Sequence, residues 1–507
     1  MAVIAAVPAA GVIAKRSPRL STSQDGALLS GGITEAVLAG NASTAVFATT
    51  ATNFVLQDPA DRVADIVSVS LLDGTRRVVS SAPDGTAPNG SSSTPSVSGN
   101  GQVVAFVSSA SNLVAGDANG VLDIFARAQG GPVVRVSAAA DGGQANGPSF
   151  QPDISADGRY VAFTSVATNL VPDDTNGQAD VFIRDLKANT TRRVSLSDAG
   201  GQGSGRSSAP AVSADGAAVA FESAAPDLVV GDTNGVADVF VRVLATGRTE
   251  RVSRSSAGIQ QDRGVSAPFT AAPDISGDGR YVVFDTEARS LYRHDTNRRS
   301  DIYLRDRLKD TTTLVSASSF NVQGDNDSVT PRITPNGRFV TFQSFAANLV
   351  QDDGPREDLF VRDRRSGTTT LVNATDSGAR RRREPLQELL QRAPISDDGR
   401  IALFASAAPN IDGDPTGGVV QLYQRRLVAP RIALVGKVRR SPAAVRLNVA
   451  ADDKRARRYL CRIDQAVPYA CGPSITVSRR AGKMLSIRAG GPGMLWSRAL
   501  SVRLAGR

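Results

Sequence analysis

Three segments of this chain bring together residues able to hold an ion or to shape a turn: DANGVLD (Asp117 to Asp123), DTNGQAD (Asp174 to Asp180) and DTNGVAD (Asp232 to Asp238). Each offers two carboxylates, an Asn oxygen (Asn119, Asn176, Asn234) and a glycine that admits a sharp bend. Hard oxygen donors of this kind suit calcium, which takes about six to eight of them, so main chain and water would have to supply the rest. The competing reading is a capped turn, in which Asp and Asn side chains bond nearby N–H groups and Gly takes the positive φ. Degenerate copies favour the turn. Arg298 and Arg299 follow Asp295, Pro355 and Arg356 follow Asp353, Asp58 starts a further remnant, and Val420 stands where the last copy should carry its second aspartate. The nine residues are therefore expected to be structural, with calcium as the alternative and no other cofactor or metal.

Other chemistry is thinly represented. His294 is the only histidine, so a Ser-His-Asp triad would have to use it, and it sits in the loop segment YRHDTNRRSD. There is no G-x-S-x-G elbow, no zinc-type histidine pair and no phosphate-binding loop. Acid–base catalysis needs carboxylates converging on one pocket, whereas the loop aspartates recur one set per unit. No catalytic residue and no enzymatic activity is expected.

The even placement of the loops points to the elements that carry them. PSVSGNGQVVAF, PDISADGRYVAF, PAVSADGAAVAF, PDISGDGRYVVF and PRITPNGRFVTF end at Phe106, Phe163, Phe221, Phe284 and Phe342. APISDDGRIALF ends at Phe404, and a degenerate AVLAGNASTAVF at Phe47. Seven units thus recur every 57 to 63 residues. Within each, a short strand meets an Asp-Gly or Asn-Gly pair, expected to supply the positive φ angles of a tight hairpin. A strand apolar on both faces follows (RYVAFTS), then a loop, a second apolar strand (DVFIRDL) and a third (TTRRVSL). Strands apolar on both faces need a sheet on either side. Four-stranded sheets stacked around an axis meet that need, and closing the ring protects their edges. The expected fold is all-β: a seven-bladed β-propeller of four-stranded blades over residues 15–428. The last unit lacks an obvious fourth strand, and PRLSTSQDG (Pro18 to Gly26) resembles RRVSLSDAG (Arg192 to Gly200) in sequence and register. A strand near residues 18–21 is therefore expected to close the last blade.

The block P-x-I-S-x-D-G-R-x-V-A-F followed by D-V-F-x-R-D resembles the repeats of TolB-type, WD-like bacterial propellers, over roughly residues 18 to 427. That resemblance implies the fold, not a function. TolB itself has six blades and an N-terminal α/β domain, neither matched here, so its partners are not carried over.

From about residue 429 the grammar changes to short alternating strands (RIALVGKV, AVRLNVAA, YLCRID, SITVS, MLSIRAG, ALSVRL), the pattern of a small β-sandwich. CRIDQAVPYAC resembles the hairpin of bacterial extracellular Ig-like or fibronectin-like modules, in which two cysteines flank a turn. The resemblance implies a disulfide between Cys461 and Cys471, the only two cysteines, and hence an oxidising compartment. Residues 429–507 are also the basic part of a chain of net charge +9: from Val428 onward seventeen Lys and Arg face three Asp, and the remainder is net acidic. Residues 1–14 (AVIAAVPAAGVIA before Lys15-Arg16) read as a secretory signal, though without the usual preceding positive charge. No window carries the roughly 18 apolar residues of a membrane span.

These readings together describe a monomeric, extracytoplasmic scaffold whose propeller loops bind a protein or polysaccharide of the cell envelope, with no nucleic-acid partner. The alternatives are a propeller hydrolase or lyase, or a calcium-stabilised structural repeat protein.

Overall fold

The computed structural model describes residues 18–55, 63–139, 141–263, 273–350, 356–374, 394–408, 411, 416, 418–427, 432–440, 444–451, 458–464, 469–478, 484–490, 497 and 499–504. Residues 1–14, expected from sequence to be a signal, the loop aspartates Asp58 and Asp353, and the arginine run Arg380 to Arg383, which reads from sequence as an exposed insertion or an anion site, lie outside them.

Among the described residues every regular element is a β-strand. Six antiparallel sheets have four strands in chain order. The first is Ile33–Leu38, Thr44–Thr49, Asp65–Ser70 and Arg76–Val78. The second is Ser92–Val97, Val103–Ser108, Asp123–Ala128 and Val133–Arg135. The third is Ser149–Ile154, Tyr160–Ser165, Asp180–Asp185 and Thr190–Arg193. The fourth is Ser207–Val212, Ala218–Ser223, Asp238–Val243 and Arg248–Arg251. The fifth is Asp274–Ile275, Tyr281–Thr286, Asp301–Asp306 and Thr311–Leu314. The sixth is Ser328–Ile333, Phe339–Ser344, Asp358–Asp363 and Thr368–Leu371. A seventh sheet pairs Ile401–Ser406 with Gln421–Arg426 and is flanked by single bridges, Ile395 to Ala402 on one edge and Arg19 to Tyr423 on the other.

The apolar clusters show how the sheets stand. The marker phenylalanines are all buried, and each points at the preceding sheet. Phe106 and Phe125 pack on Val46 and Ile66, Phe163 and Phe182 on Ala105 and Ile124, and Phe221 and Phe240 on Ala162 and Ile183. Phe284 and Tyr303 pack on Ala220 and Val241, Phe342 and Phe360 on Val283 and Leu304, and Phe404 and Tyr423 on Phe339 and Val361. Phe47 and Phe54 pack on Leu403 and Leu422, which joins the first sheet to the seventh. Each cluster bridges two successive sheets, and the last closes the circuit. This is a β-propeller, the arrangement that strands apolar on both faces require. Burying each phenylalanine contributes roughly 1.5–3 kcal/mol.

A second set of contacts follows the same circuit. The arginine of each D-V-F-x-R-D strand reaches carbonyl oxygens at the outer edge of the sheet before it. Arg127 donates to Val79 O (3.0 Å), Arg184 to Ala138 O (3.3 Å) and Arg242 to Leu196 O (2.9 Å). Arg305 donates to Ser255 O (3.4 Å), Arg362 to Ala317 O (3.0 Å) and Ser318 O (2.7 Å), and Arg425 to Ala374 O. The first sheet has Val69 at that place. Arg76, on its outer strand, donates instead to Thr22 O (2.9 Å) and Thr22 Oγ1 (2.7 Å).

Thr22 belongs to the segment that edges the seventh sheet. Leu20 N donates to Leu422 O (2.8 Å), Gln424 N to Pro18 O (3.0 Å), Leu422 N to Ser21 Oγ (2.7 Å) and Ser21 Oγ to Gln421 Oε1 (2.8 Å). The two ends of the repeat region therefore share one sheet.

The Asp-Gly turns differ from expectation in one respect. Only the glycine takes a positive φ, as at Gly158 (75°) and Gly279 (69°). The preceding Asp stays in an ordinary conformation and caps the turn: Asp157 Oδ1 accepts from Arg159 N (3.0 Å) and from Ser155 Oγ (2.5 Å). One left-handed residue suffices because the serine and aspartate side chains bind the remaining turn amides.

After residue 431 two further sheets share one core. Ile432–Arg440, Ala444–Ala451 and Ser474–Ser478 form one, and Arg458–Ile463, Tyr469–Cys471, Met484–Gly490 and Leu500–Arg503 the other. Val445, Leu447 and Val477 from the first meet Tyr459, Leu485 and Ile487 from the second. Cys461 and Cys471 are disulfide-bonded across the hairpin.

Candidate functional site

Antiparallel order sorts the connections into two ends. The D-x-N-G loops, between second and third strands, leave at the same end as the links from one sheet to the next. The Asp-Gly turns and the third-to-fourth hairpins lie at the other end.

In the second, third and fourth sheets the D-x-N-G residues do converge. The first carboxylate meets an arginine of the outermost strand: Asp117 Oδ1 to Arg135 Nη2 (2.9 Å), Asp174 Oδ2 to Arg193 Nη2 (3.1 Å) and Asp232 Oδ1 to Arg251 Nη1 (2.8 Å). The second carboxylate is 3.7, 3.7 and 3.5 Å from the same guanidinium at Asp123, Asp180 and Asp238. Asn119, Asn176 and Asn234 donate their amide N–H to that second carboxylate (2.8, 3.0 and 2.8 Å). Their oxygens accept from the amides of Val121 (3.4 Å), Gln178 (3.0 Å) and Val236 (3.3 Å), an Asx-type turn. Ser137 and Ser195 donate to the remaining oxygen of Asp123 and Asp180 (2.5 Å each), and Ser253 does so at Asp238. Burial pushes the Asp123 and Asp180 carboxyls above the usual range, and Asp238 to about 6.

A cation therefore already sits between each carboxylate pair, and it is an arginine. The Asn oxygens are committed to the turn. Sequence reasoning missed Arg135, Arg193 and Arg251, although R-V-S recurs after each loop. It also missed the glutamine that stitches the loop from the following link: Gln202 Nε2 donates to Thr175 Oγ1 (2.6 Å) and Gln260 Nε2 to Thr233 Oγ1 (2.8 Å). Among the described residues no group of three or more His, Cys, Asp or Glu is gathered around a common point.

The fifth loop is different. It carries Asp295 and His294 beside a cleft of about 500 Å3 lined by Tyr292, Asn297, Asn321, Gln323 and Asn348. His294 is exposed, and its ring stands edge-on to Tyr292 at 5.9 Å. Among the described residues no hydrogen bond joins His294 to a serine or an aspartate. Exposed apolar side chains share this end of the molecule: Val230 beside the fourth D-x-N-G loop, and Ile259 and Val322 in the links after the fourth and fifth sheets.

Two buried carboxylates, Glu222 and Asp285, follow marker phenylalanines directly. By strand alternation they face away from Phe221 and Phe284, toward the next sheet in each case. Burial raises both to about 7; at Glu222 the Arg206 guanidinium pulls the value down and the Asp285 charge pushes it up, while at Asp285 hydrogen bonds from the main chain and Ser300 oppose burial. They occupy successive inter-sheet faces rather than one pocket.

No protein family and no curated protein matches the chain. Solved structures similar to it include a TolB protein from Agrobacterium tumefaciens, 16% identical, over 70% of this chain and 94% of that one (TM-score 0.37). An oligogalacturonate lyase from Vibrio parahaemolyticus is 9% identical over 81% and 93% (TM-score 0.46). A prolyl endopeptidase is 10% identical over 86% of this chain and 55% of its own (TM-score 0.45). The expectation that the chain is not an enzyme is corrected here: a lyase and a peptidase stand among the structures it resembles, at a distance that assigns neither a reaction nor its absence. Sequence reasoning went astray by treating a missing triad motif as a missing activity, and propeller enzymes need not carry that motif.

Proposed function

We propose that this chain is an extracytoplasmic seven-bladed propeller that binds a protein or glycan of the cell envelope at the end bearing the D-x-N-G loops. The observation that carries the reading is the cleft beside Tyr292. The Asn297, Gln323 and Asn348 amides are bonded within the loops and shape the cleft, whereas the Asn321 side-chain N–H groups have no acceptor among the described residues and suit a hydroxyl or carbonyl oxygen, while Tyr292 and His294 offer ring faces. Val322 adds apolar contact in its wall, and Val230 and Ile259 are exposed at the same end of the molecule. The disulfide favours an oxidising compartment, and the positive excess after residue 428 suits an anionic envelope polymer. The test is retention of the full chain on envelope polysaccharide and on envelope protein extract, beside Tyr292→Ala and Asn321→Ala. Retention lost in both variants is expected, and retention equal to the parent's would refute the site.

A hydrolase or lyase is the second reading, favoured by Glu222 and Asp285. Burial raises both to about 7, and Glu222, the less enclosed of the two, would be the proton-transfer group, since Asp285 faces a different inter-sheet layer. Turnover in a panel of polysaccharide and peptide substrates, lost in Glu222→Gln, would support it.

A further inference from the structure

The fifth sheet departs from its sisters at one cross-strand pair. Arg135, Arg193 and Arg251 stand opposite Phe125, Phe182 and Phe240, and the corresponding pair in the fifth sheet is Leu314 opposite Tyr303. The guanidinium is gone, yet both carboxylates remain, as Asp295 and Asp301. Gln323 Nε2 donates to Asp295 Oδ1 (2.9 Å) and Asp301 Oδ2 (2.7 Å), and Ser316 Oγ to Asp301 Oδ1 (2.6 Å). Among the described residues no Arg, Lys or His lies within ion-pair distance of either aspartate. Arg299, in the same loop, pairs with Asp327 instead (3.6 Å).

Two oxygens are left over. Asp295 Oδ2 and Tyr303 Oη are buried and have no hydrogen-bond partner among the described residues. Tyr303 is only 1% exposed, and it shares a strand face with Asp301, two residues before it, where the sister sheets carry a phenylalanine without the hydroxyl. Burial, then the charges of Asp301 and Asp295, drive the Tyr303 pKa far upward, so the group is a neutral hydroxyl. Burial and the neighbouring Asp295 likewise hold Asp301 near 6. The site is thus acidic, lined by oxygen and short of one positive charge that three homologous sites possess.

We propose that Asp295, Asp301 and Tyr303 bind one calcium ion, which takes the place held by arginine in the three sister loops. The donors are two carboxylates and a hydroxyl, with main-chain oxygens and water completing the shell. The site is independent of the envelope ligand proposed above, although the same loop borders both.

Calorimetric titration of the chelator-stripped full chain with calcium chloride tests this. One ion per chain is expected, with Kd in the ~10⁻⁴–10⁻³ M range of extracellular calcium modules. Asp295→Asn and Tyr303→Phe should each weaken binding, the former by about tenfold or more because it removes ligand charge. Leu314→Arg restores the sister cation; it should abolish binding and raise Tm in calcium-free buffer. Near-UV circular dichroism reports whether each variant keeps its fold, and Asp295→Asn decides the matter should Leu314→Arg misfold. Absence of binding heat in the parent overturns the proposal, as does a calcium response that survives Asp295→Asn.

Discussion

The side chains that set the character of this molecule are charged groups held where charge is costly. Asp285 and Glu222 have pKa values of about 7 in the fold, against about 4 in an unfolded chain. For an acid raised in this way the folded state holds its proton longer than the unfolded state does. Stability is therefore greatest below the unfolded pKa and declines as pH rises toward 7, where the penalty is complete. Asp285→Asn and Glu222→Gln should raise Tm at pH 8 and leave it nearly unchanged at pH 4.5. Equal effects at both values would mean that the carboxylates are not buried as described. Neither group was legible in the sequence, because only the repeat register shows that a carboxylate follows the marker phenylalanine where its sisters carry Val107, Thr164 or Gln343. The loop aspartates were legible, but their partner was not: Arg193 lies thirteen residues beyond Asp180, on another strand, and nothing in a D-x-N-G string names it.

At the scale of the strand, the sequence conveyed pattern well and conformation less well. Period and apolar alternation are enough to place the strands, since both follow from which faces must be dry. The bulged first strands were hidden: Thr94, Gln151, Ala209 and Thr330 all take positive φ, and no Gly or Asn marks those positions. Their conformation is imposed by the surrounding ladder rather than by local preference. The D-V-F-x-R-D arginines were quoted as part of a strand, yet they act between sheets. Arg362→Ala would take one of two donors from each of Ala317 O and Ser318 O, which keep Thr369 Oγ1 and Asn321 N, at a cost of about 1–3 kcal/mol. Phe163→Ala opens a cavity against Ala105 and Ile124 and should cost about 3–5 kcal/mol. Chemical denaturation checks both, and a loss below 1 kcal/mol for Phe163→Ala would contradict its buried placement.

Across the whole molecule, the circuit of sheets depends on a joint made from both ends of the repeat region. Deleting residues 18 to 24 removes the Leu20, Ser21 and Thr22 contacts and uncovers the edge of Gln421–Arg426. Because the seventh sheet packs on both the sixth and the first, the loss should lower Tm for the entire ring in one transition, not for a single sheet. A truncated chain that melts with the parent would show the joint to be dispensable. Its position could be read from the register between PRLSTSQDG and RRVSLSDAG, whereas the substitution of Arg76 for the missing D-V-F-x-R-D arginine could not, since it comes from a different strand.

That joint also sets an order of events in biosynthesis. Ser21 must wait for Gln421, 400 positions later, before its hydrogen bond can form. At ribosomal speeds of about 5–20 residues per second, the interval is roughly 20–80 s. Throughout that time a nascent chain holds an unfinished circle, with one bare strand edge at the start and none yet made to meet it. A polypeptide that cannot lock until its last sheet emerges stays threadable, the state that a translocation channel accepts and that chaperones must shield from neighbouring copies.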